Sequence, residues 1–547
     1  MSESLVIFSR DCENDAAEHV HDATSGSTPI HGTKYLSRRQ DYSPLADALM
    51  DAGVQNHSVV PSDVAEGFVG VIYGDVGTTN FRCSAIAPID RNEFIQVRHW
   101  QCGMVLGRVE ELQRKTDLSL EKAQLVSDGE DVQVDEKVSA AIHVIGYRDE
   151  RGLLQVPRTP FRAGESVYKA EDSLIRQVIG LLDNDRKGAY IGVLNGHEIQ
   201  IYLDINAMVQ KHVSVLAKTG GGKSYVVGVL MEEFMKHGVT VVIIDPHGEY
   251  SSLRDKSKAE VTERKFGVKP RSYSDQVLEF SPDVKVNPSA HALRFTLGNL
   301  EARDILGLTK LSNQRSHLLM LRKVLDALRM AGKAYSLSEI IALLDVEDDP
   351  TAGSLIDELE YLREVEIFAK EGTKIDDLVV KGKCTIINLK GSPPDIQELV
   401  VNRIASALFE LRKVNKVPPM LLVLEESHNF CPQMGVASSS KILRTIASEG
   451  RKFGLGLLIV TQRAAKVDKN VLSQCNTQII LKVTNPNDLK AITASVEGLT
   501  ASMEDEVQRL PIGVAIITGG GIQMPLMVEV RPRETRHGGE SVKVLPD

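Results

Sequence analysis

One stretch, residues 212–224, places lysine, serine and three glycines side by side: His-Val-Ser-Val-Leu-Ala-Lys-Thr-Gly-Gly-Gly-Lys-Ser. A short apolar run, Val213 to Leu216, enters the glycines, and an amphipathic run, Tyr225 to Lys236, follows Lys223-Ser224. This is the layout of a phosphate-binding loop. Consecutive backbone N–H groups wrap a polyphosphate, the lysine ammonium neutralises it, and the serine hydroxyl holds Mg²⁺. A helix beginning at Lys223 adds the positive end of its dipole. Ala217, Lys218, Thr219, Gly220, Gly221, Gly222, Lys223 and Ser224 are therefore read as the cradle, with ATP and Mg²⁺ as its ligands. Ala217 stands where the strict pattern has glycine, and alanine serves there if its φ stays negative.

Nucleotide hydrolysis also needs one carboxylate beside the Mg²⁺ and its water shell, and a second to activate the attacking water. Leu421-Leu422-Val423-Leu424 runs into Glu425-Glu426, and adjacent residues leaving a strand can divide those tasks. Glu425 is assigned to the Mg²⁺ side and Glu426 to the water. Glutamate stands where aspartate is commoner, and its extra methylene suggests an outer-sphere contact. Asp245, which ends the apolar run Val241–Ile244, is a secondary metal-side candidate, and Glu249 a weaker one. Arg451, between Gly450 and Gly454 near the end of a helical run, is either an arginine finger reaching a phosphate across a subunit interface or an ordinary surface arginine. Gln462, just past an apolar strand, either senses the γ-phosphate or caps that strand.

The elements that must position these groups follow from period and punctuation. A chain of 547 residues exceeds a single typical core. Residues 1–61 are polar and without period, and read as a poorly ordered arm, with Tyr42 to Met50 as a candidate short helix. Residues 62–170 carry short β-type runs broken by Gly and Asp, which predicts a small barrel or sandwich. Leu118 to Gly129 inside it is a helix or a long hairpin loop, and Trp100 is expected to pack in the core. Residues 171–295 and 373–530 alternate strands with helices, predicting a parallel α/β sheet covered on both faces. Between them, residues 296–372 show Leu and Ile at helical spacing and read as a helical insertion. Lys310, Arg315, Arg322 and Lys323 on it are expected to face solvent rather than DNA. Residues 531–547 form a polar tail.

A net charge of −10 argues against a surface coated in basic residues and leaves room for a local basic pore. The six cysteines, at 12, 83, 102, 384, 431 and 475, are scattered without metal spacing and read as reduced structural thiols. No run reaches ~18 apolar residues and no secretory layout opens the chain, so the expectation is a soluble, cytoplasmic protein without membrane contact.

Taken together, five motifs resemble the HerA family, archaeal and bacterial hexameric DNA translocases related to FtsK. They are Ala-Lys-Thr-Gly-Gly-Gly-Lys-Ser, Ile-Asp-Pro-His-Gly-Glu-Tyr, Glu-Glu-Ser-His-Asn-Phe, Glu-Gly-Arg-Lys-Phe-Gly-Leu-Gly and Asn-Thr-Gln-Ile-Ile, in that order. The resemblance covers about residues 62–535. It implies a RecA-like P-loop ATPase core with a helical insertion, preceded by a HAS-barrel used for ring assembly and for docking the nuclease NurA. It further implies a homohexamer with double-stranded DNA through its pore, working as an ATP-dependent translocase or helicase in DNA end resection and repair. On that resemblance Lys223 and Ser224 bind nucleotide and Mg²⁺, Glu426 activates water and Arg451 is the trans-acting finger. Ala217 and Glu425 depart from the family pattern and bear on hydrolysis rate more than on binding. The competing reading is an ATP-binding ring that serves as a scaffold or switch for a partner effector in phage defence.

Overall fold

The computed structural model describes residues 67–539, apart from 183–185, 259–265, 310, 312–314, 333 and 497–500. The expected arm 1–61, Lys310 and the end of the expected tail, 540–547, lie outside the described residues.

Seven strands open the described chain: β1 (Phe68–Tyr73), β2 (Asn80–Ala85), β3 (Phe94–His99), β4 (Gly103–Thr116), β5 (Glu136–Arg148), the short β6 (Leu154–Gln155) and β7 (Ser166–Lys169). They pair in the order β2-β1-β7-β3-β4-β5, and β5 returns to β2, closing a six-stranded barrel. Alternate residues point inward, as a half-buried strand requires. Val69, Phe81, Val97, Val105, Ile142 and Val167 fill the interior. The β4–β5 connection holds a helix, α1 (Leu120–Ser127), whose N-cap Ser119 accepts a hydrogen bond from the Lys122 N–H; none of its residues is buried. Trp100 corrects the expectation of core packing: it sits in the β3–β4 turn, 50% exposed. It stacks on His99 and lies under the Arg162 guanidinium, 5.1 Å from the ring centroid. The turn ends the strand at His99, so alternation no longer directs the next side chain inward.

The helices α2 (Asp172–Ile179) and α3 (Ile205–Lys211) flank a hairpin of β8 (Gly188–Leu194) and β9 (Gln200–Asp204). There follow β10 (Val213–Leu216), α4 (Lys223–Lys236), β11 (Thr240–Asp245), β12 (Val277–Ser281) and the short β13 (His291–Ala292). A two-residue strand, β14 (Phe295–Thr296), opens the insertion, which contains α5 (Ala302–Leu306), α6 (Arg315–Met330), α7 (Leu337–Leu344) and α8 (Pro350–Glu364). It closes with β15 (Phe368–Ala369), which pairs parallel to β14 and pins the two ends of the insertion together. The remainder is α9 (Ile375–Leu378), β16 (Cys384–Asn388), α10 (Pro394–Lys413), β17 (Met420–Leu424), α11 (Ser440–Phe453), β18 (Leu455–Thr461), α12 (Lys469–Leu472), β19 (Thr477–Ile480), α13 (Pro486–Ser495), α14 (Ala501–Arg509), β20 (Val514–Gly519) and β21 (Ile522–Val530).

The core strands form one twelve-stranded sheet among the described residues, ordered β13-β12-β16-β11-β17-β18-β10-β19-β20-β21-β8-β9. From β13 to β19 neighbouring strands run parallel, but β19–β20, β20–β21, β21–β8 and β8–β9 are antiparallel. The sheet is therefore mixed, not parallel throughout as the sequence suggested. For β20 and β21 the reversal follows from the connection: they are joined through Gly519-Gly520-Gly521, and such a turn can only reverse the chain. Alternate residues of the buried strands serve opposite faces. Leu422 and Leu424 pack with α10, α11 and the insertion, whereas Leu421 and Val423 pack with α2, α3 and α4. Barrel residues Phe94, Leu106 and Ile145 join the second of these cores, and Arg91 pairs with Glu506 of α14 at 2.8 Å. This is a barrel followed by a RecA-like core with a helical insertion.

On α6, Arg315 and Arg322 are exposed, and Lys323 pairs with Glu347 at 2.8 Å. Cys83, Cys384, Cys431 and Cys475 are buried free thiols. Burial pushes the Cys384 and Cys475 thiols up to about 12, so they stay protonated. No helix among the described residues is long and apolar enough to cross a membrane.

Candidate nucleotide site

The loop leaving β10 is anchored on both sides: the Ala217 N–H donates to Thr461 O of β18 at 3.3 Å, and the Lys218 N–H to Lys482 O past β19 at 2.9 Å. Ala217 keeps a negative φ, so alanine fits, while Gly220 (φ 70°) and Gly222 (φ 92°) hold the left-handed turns that aim the following N–H groups into the loop. Helix α4 begins at Lys223. Lys218, Thr219, Lys223, Ser224, Glu426 and Gln462 line a cleft of about 1010 Å³ at the carboxyl ends of the parallel strands. The Thr219 hydroxyl donates to Gln462 Oε1, so Gln462 lies against the loop.

The Lys223 ammonium sits between the paired acids, 2.6 Å from Glu425 Oε2 and 3.2 Å from Glu426 Oε1. Burial alone would depress this lysine, but the two carboxylates more than offset it and raise its pKa. The other oxygen of Glu425 accepts from the buried Tyr250 hydroxyl. Burial, and then the Glu425 charge, drive the Tyr250 pKa well above its ordinary value, so the hydroxyl keeps its proton and donates. Glu426 takes a left-handed backbone, φ 49° and ψ 43°, which is costly for a glutamate and concentrated at functional sites. Its Oε2 is buried without a hydrogen bond and faces Nδ1 of His428 at 3.3 Å. Burial lowers the His428 pKa against the opposing pull of Glu426.

Asp245 ends the strand beside β17, but its oxygens already accept the backbone N–H groups of His247, Gly248 and Tyr250, at 3.2, 2.9 and 3.0 Å. Burial lifts its pKa to about 6. It shapes the Pro-His-Gly-Glu turn and presents Tyr250 to Glu425. Among the described residues no group of three or more His, Cys, Asp or Glu could hold a metal by itself. A Mg²⁺ ion fits this donor set only as it sits in phosphate sites generally, on one hydroxyl, substrate oxygens and water. Ser224 would supply that hydroxyl, whereas both Glu425 oxygens are engaged by Lys223 and Tyr250.

The family model described as "Helicase HerA, central domain" matches residues 189–408. The DNA double-strand break repair helicase HerA of Pyrococcus furiosus is 27% identical, over 88% of this chain and 96% of its own length. A probable DNA double-strand break repair helicase HerA of Methanocaldococcus jannaschii is also 27% identical, over 87% of this chain and 98% of its own length. The chain is thus similar to HerA-family proteins, through its central region and over most of its length. Among solved structures, VirB4 of Thermoanaerobacter pseudethanolicus aligns with 64% of this chain and 97% of its own at a TM-score of 0.46 and 15% identity.

The matched region ends at residue 408, short of Glu425, Glu426, Arg451 and Gln462, so the structure is what brings these to the loop or keeps them from it. Arg451 is not brought. It lies exposed in the last turn of α11, which precedes β18, and the Met420 N–H at the start of β17 bonds to Gly454 O just beyond it. That places Arg451 at the amino ends of the strands, across the sheet from the loop of its own chain. What sequence reasoning missed is His212, also in a left-handed conformation (φ 57°). Its Nε2 lies 3.0 Å from Ala447 O of α11, and Nδ1 accepts the Leu457 N–H at 2.9 Å. This buried ring ties the root of β10 to the helix carrying Arg451. A histidine directly before the apolar run was the one signal available.

Proposed function

We propose that this chain is an ATP-driven translocase or helicase acting on double-stranded DNA as a homohexameric ring, in double-strand break repair with a NurA-like nuclease as partner. The observation that carries the reading is the Lys223 ammonium held jointly by Glu425 and Glu426 at the mouth of a glycine loop. A triphosphate takes over the ammonium, which frees Glu426 to orient a water toward the γ-phosphate. Ser224 would hold Mg²⁺, which would supply charge neutralisation. Gln462, hydrogen-bonded to Thr219, reports whether the γ-phosphate is present. Arg451, out of reach of its own loop, serves the loop of a neighbour in the ring. The HerA-named relatives, described as DNA double-strand break repair helicases, support the nucleic-acid half of the reading. DNA grip through phosphates would be weakly sequence-dependent and weakened by salt.

The test is steady-state ATPase activity with and without linear double-stranded DNA, on wild type and on Lys223→Ala, Glu426→Gln and Arg451→Ala. DNA stimulation that disappears in all three variants is the expected result. ATP binding with turnover indifferent to DNA would overturn the translocase reading.

A further inference from the structure

The cleft around the phosphate loop has two chemically different ends. Lys223, Glu426 and Gln462 make one, on the β17–β18 flank of β10. The other lies on the β20–β21 flank and is lined by Ile512, Val514, Val530, Pro532, Arg533 and His537. The antiparallel turn of the sheet makes this possible. Because β20 runs against β19, its first residue lies at the loop's edge of the sheet, and Val514 pairs there with Glu529 near the end of β21. The chain leaving β21 is thereby delivered onto the amino end of α4.

That segment is fixed in place. Arg531 is fully buried and donates to Glu232 at 2.9 Å and Glu233 at 2.7 Å, both on α4. The Arg533 N–H donates to the Tyr225 hydroxyl at 2.9 Å, one residue past Ser224. Arg533 crosses α4 at Gly228, where a Cβ would come within 2.5 Å of the guanidinium carbon. The His537 ring then stands edge-on to Tyr225, with centroids 5.4 Å apart. Ile512, 80% exposed, is a large apolar side chain at the rim of the same cleft.

We propose that Pro532–Gly539, with Ile512 and Tyr225, forms the nucleoside subsite of the cleft, in which the base packs against the Tyr225–His537 pair. The inference rests on the reading of the loop as a triphosphate cradle and extends it to the other half of the ligand. Carboxylates and Gln462 occupy the γ-phosphate end, so the sugar and base run the opposite way, toward apolar and aromatic surface. Flat faces with an apolar rim suit a base's π-surface. The exposed polar backbone of this segment, as at Gly539, suits ribose hydroxyls.

The experiment compares binding of ATP with binding of inorganic tripolyphosphate, both with Mg²⁺, by calorimetry on the full chain. The variants are His537→Ala, Ile512→Ser and, as control, Lys223→Ala, with thermal melts to confirm that each is folded. The expected result is an about ten-fold loss of ATP affinity in His537→Ala with tripolyphosphate affinity unchanged. Ile512→Ser, at an exposed position that the fold does not need, should shift ATP alone in the same direction. Unchanged ATP affinity in both variants, or equal loss for both ligands, would overturn the nucleoside subsite. Failure of the underlying reading has a different signature: wild type binds neither ligand, or Lys223→Ala weakens neither.

Discussion

Lys223 holds two carboxylates that, under the proposed reading, an incoming triphosphate has to displace. Glu426→Gln weakens that competition and removes the base together, so it should bind ATP at least as tightly as wild type. Its turnover should fall by about 10²–10⁴-fold. Equal losses in binding and turnover would argue that Glu426 shapes the site without acting on water. Tyr250→Phe removes the donor from a buried Glu425 oxygen and should lower unfolding stability by about 1–3 kcal/mol in urea titrations. An unchanged midpoint would show that water replaces the hydroxyl. That Lys223 and the paired acids share one site was legible in the sequence, because glycine-Lys-Ser and an apolar run ending in paired acids are contiguous signals. Tyr250 and His428 were in quoted motifs but had no role, since their partners are set by folding. Tyr250 meets Glu425 across 175 residues, and no local period encodes that contact.

Elements were read well wherever burial imposes a period and poorly where it does not. Strands β11, β17 and β18 are unbroken apolar runs, as burial on both faces demands. The β8–β9 hairpin escaped because Gly188, Gly192 and Gly196 interrupt its pattern, and its place in the sheet depends on a strand made much later in the chain. Two contacts between elements can be tested. His212 has its pKa lowered by burial, against the opposing pull of the Ala447 carbonyl, and its Nδ1 accepts the Leu457 N–H. A depressed histidine stabilises the fold above the ordinary value of 6.5, and that contribution is lost as pH falls toward the folded pKa. Stability should therefore decline on acidification below about 6.5, and His212→Gln should flatten that part of the profile. A profile unaltered by the substitution would exclude the ring as its source. Arg531→Met removes the fully buried cation shared by Glu232 and Glu233, leaving them Arg533 and Lys236, and should cost about 3–5 kcal/mol, read as a lower urea midpoint. A loss below 1 kcal/mol would mean the acids take up protons or water without penalty.

For the whole molecule, the position of Arg451 makes a single chain an incomplete enzyme under the proposed reading. Co-expressing Lys223→Ala with Arg451→Ala chains should restore activity that neither has alone. Random mixing leaves about a quarter of interfaces with both native groups. No recovery would sink the shared-site arrangement. The barrel, the insertion and the core were each visible in the sequence as changes of period, whereas their mutual packing was not, because single side chains such as Phe94 and Arg91 carry it.

The Arg531 cluster also sets an order of events during synthesis. The barrel emerges first and has a closed core of its own, so it can fold while the rest is being made. Helix α4 cannot settle so early: its Glu232 waits for a counter-charge 299 residues downstream. Until that arginine leaves the ribosome, Glu232 lacks the charge it is buried against, whereas Glu233 has Lys236 on its own helix at 2.7 Å. A nascent chain broken off before Arg531 would therefore carry a folded barrel and an unfinished phosphate loop, which ties the ability to grip nucleotide to completion of the polypeptide.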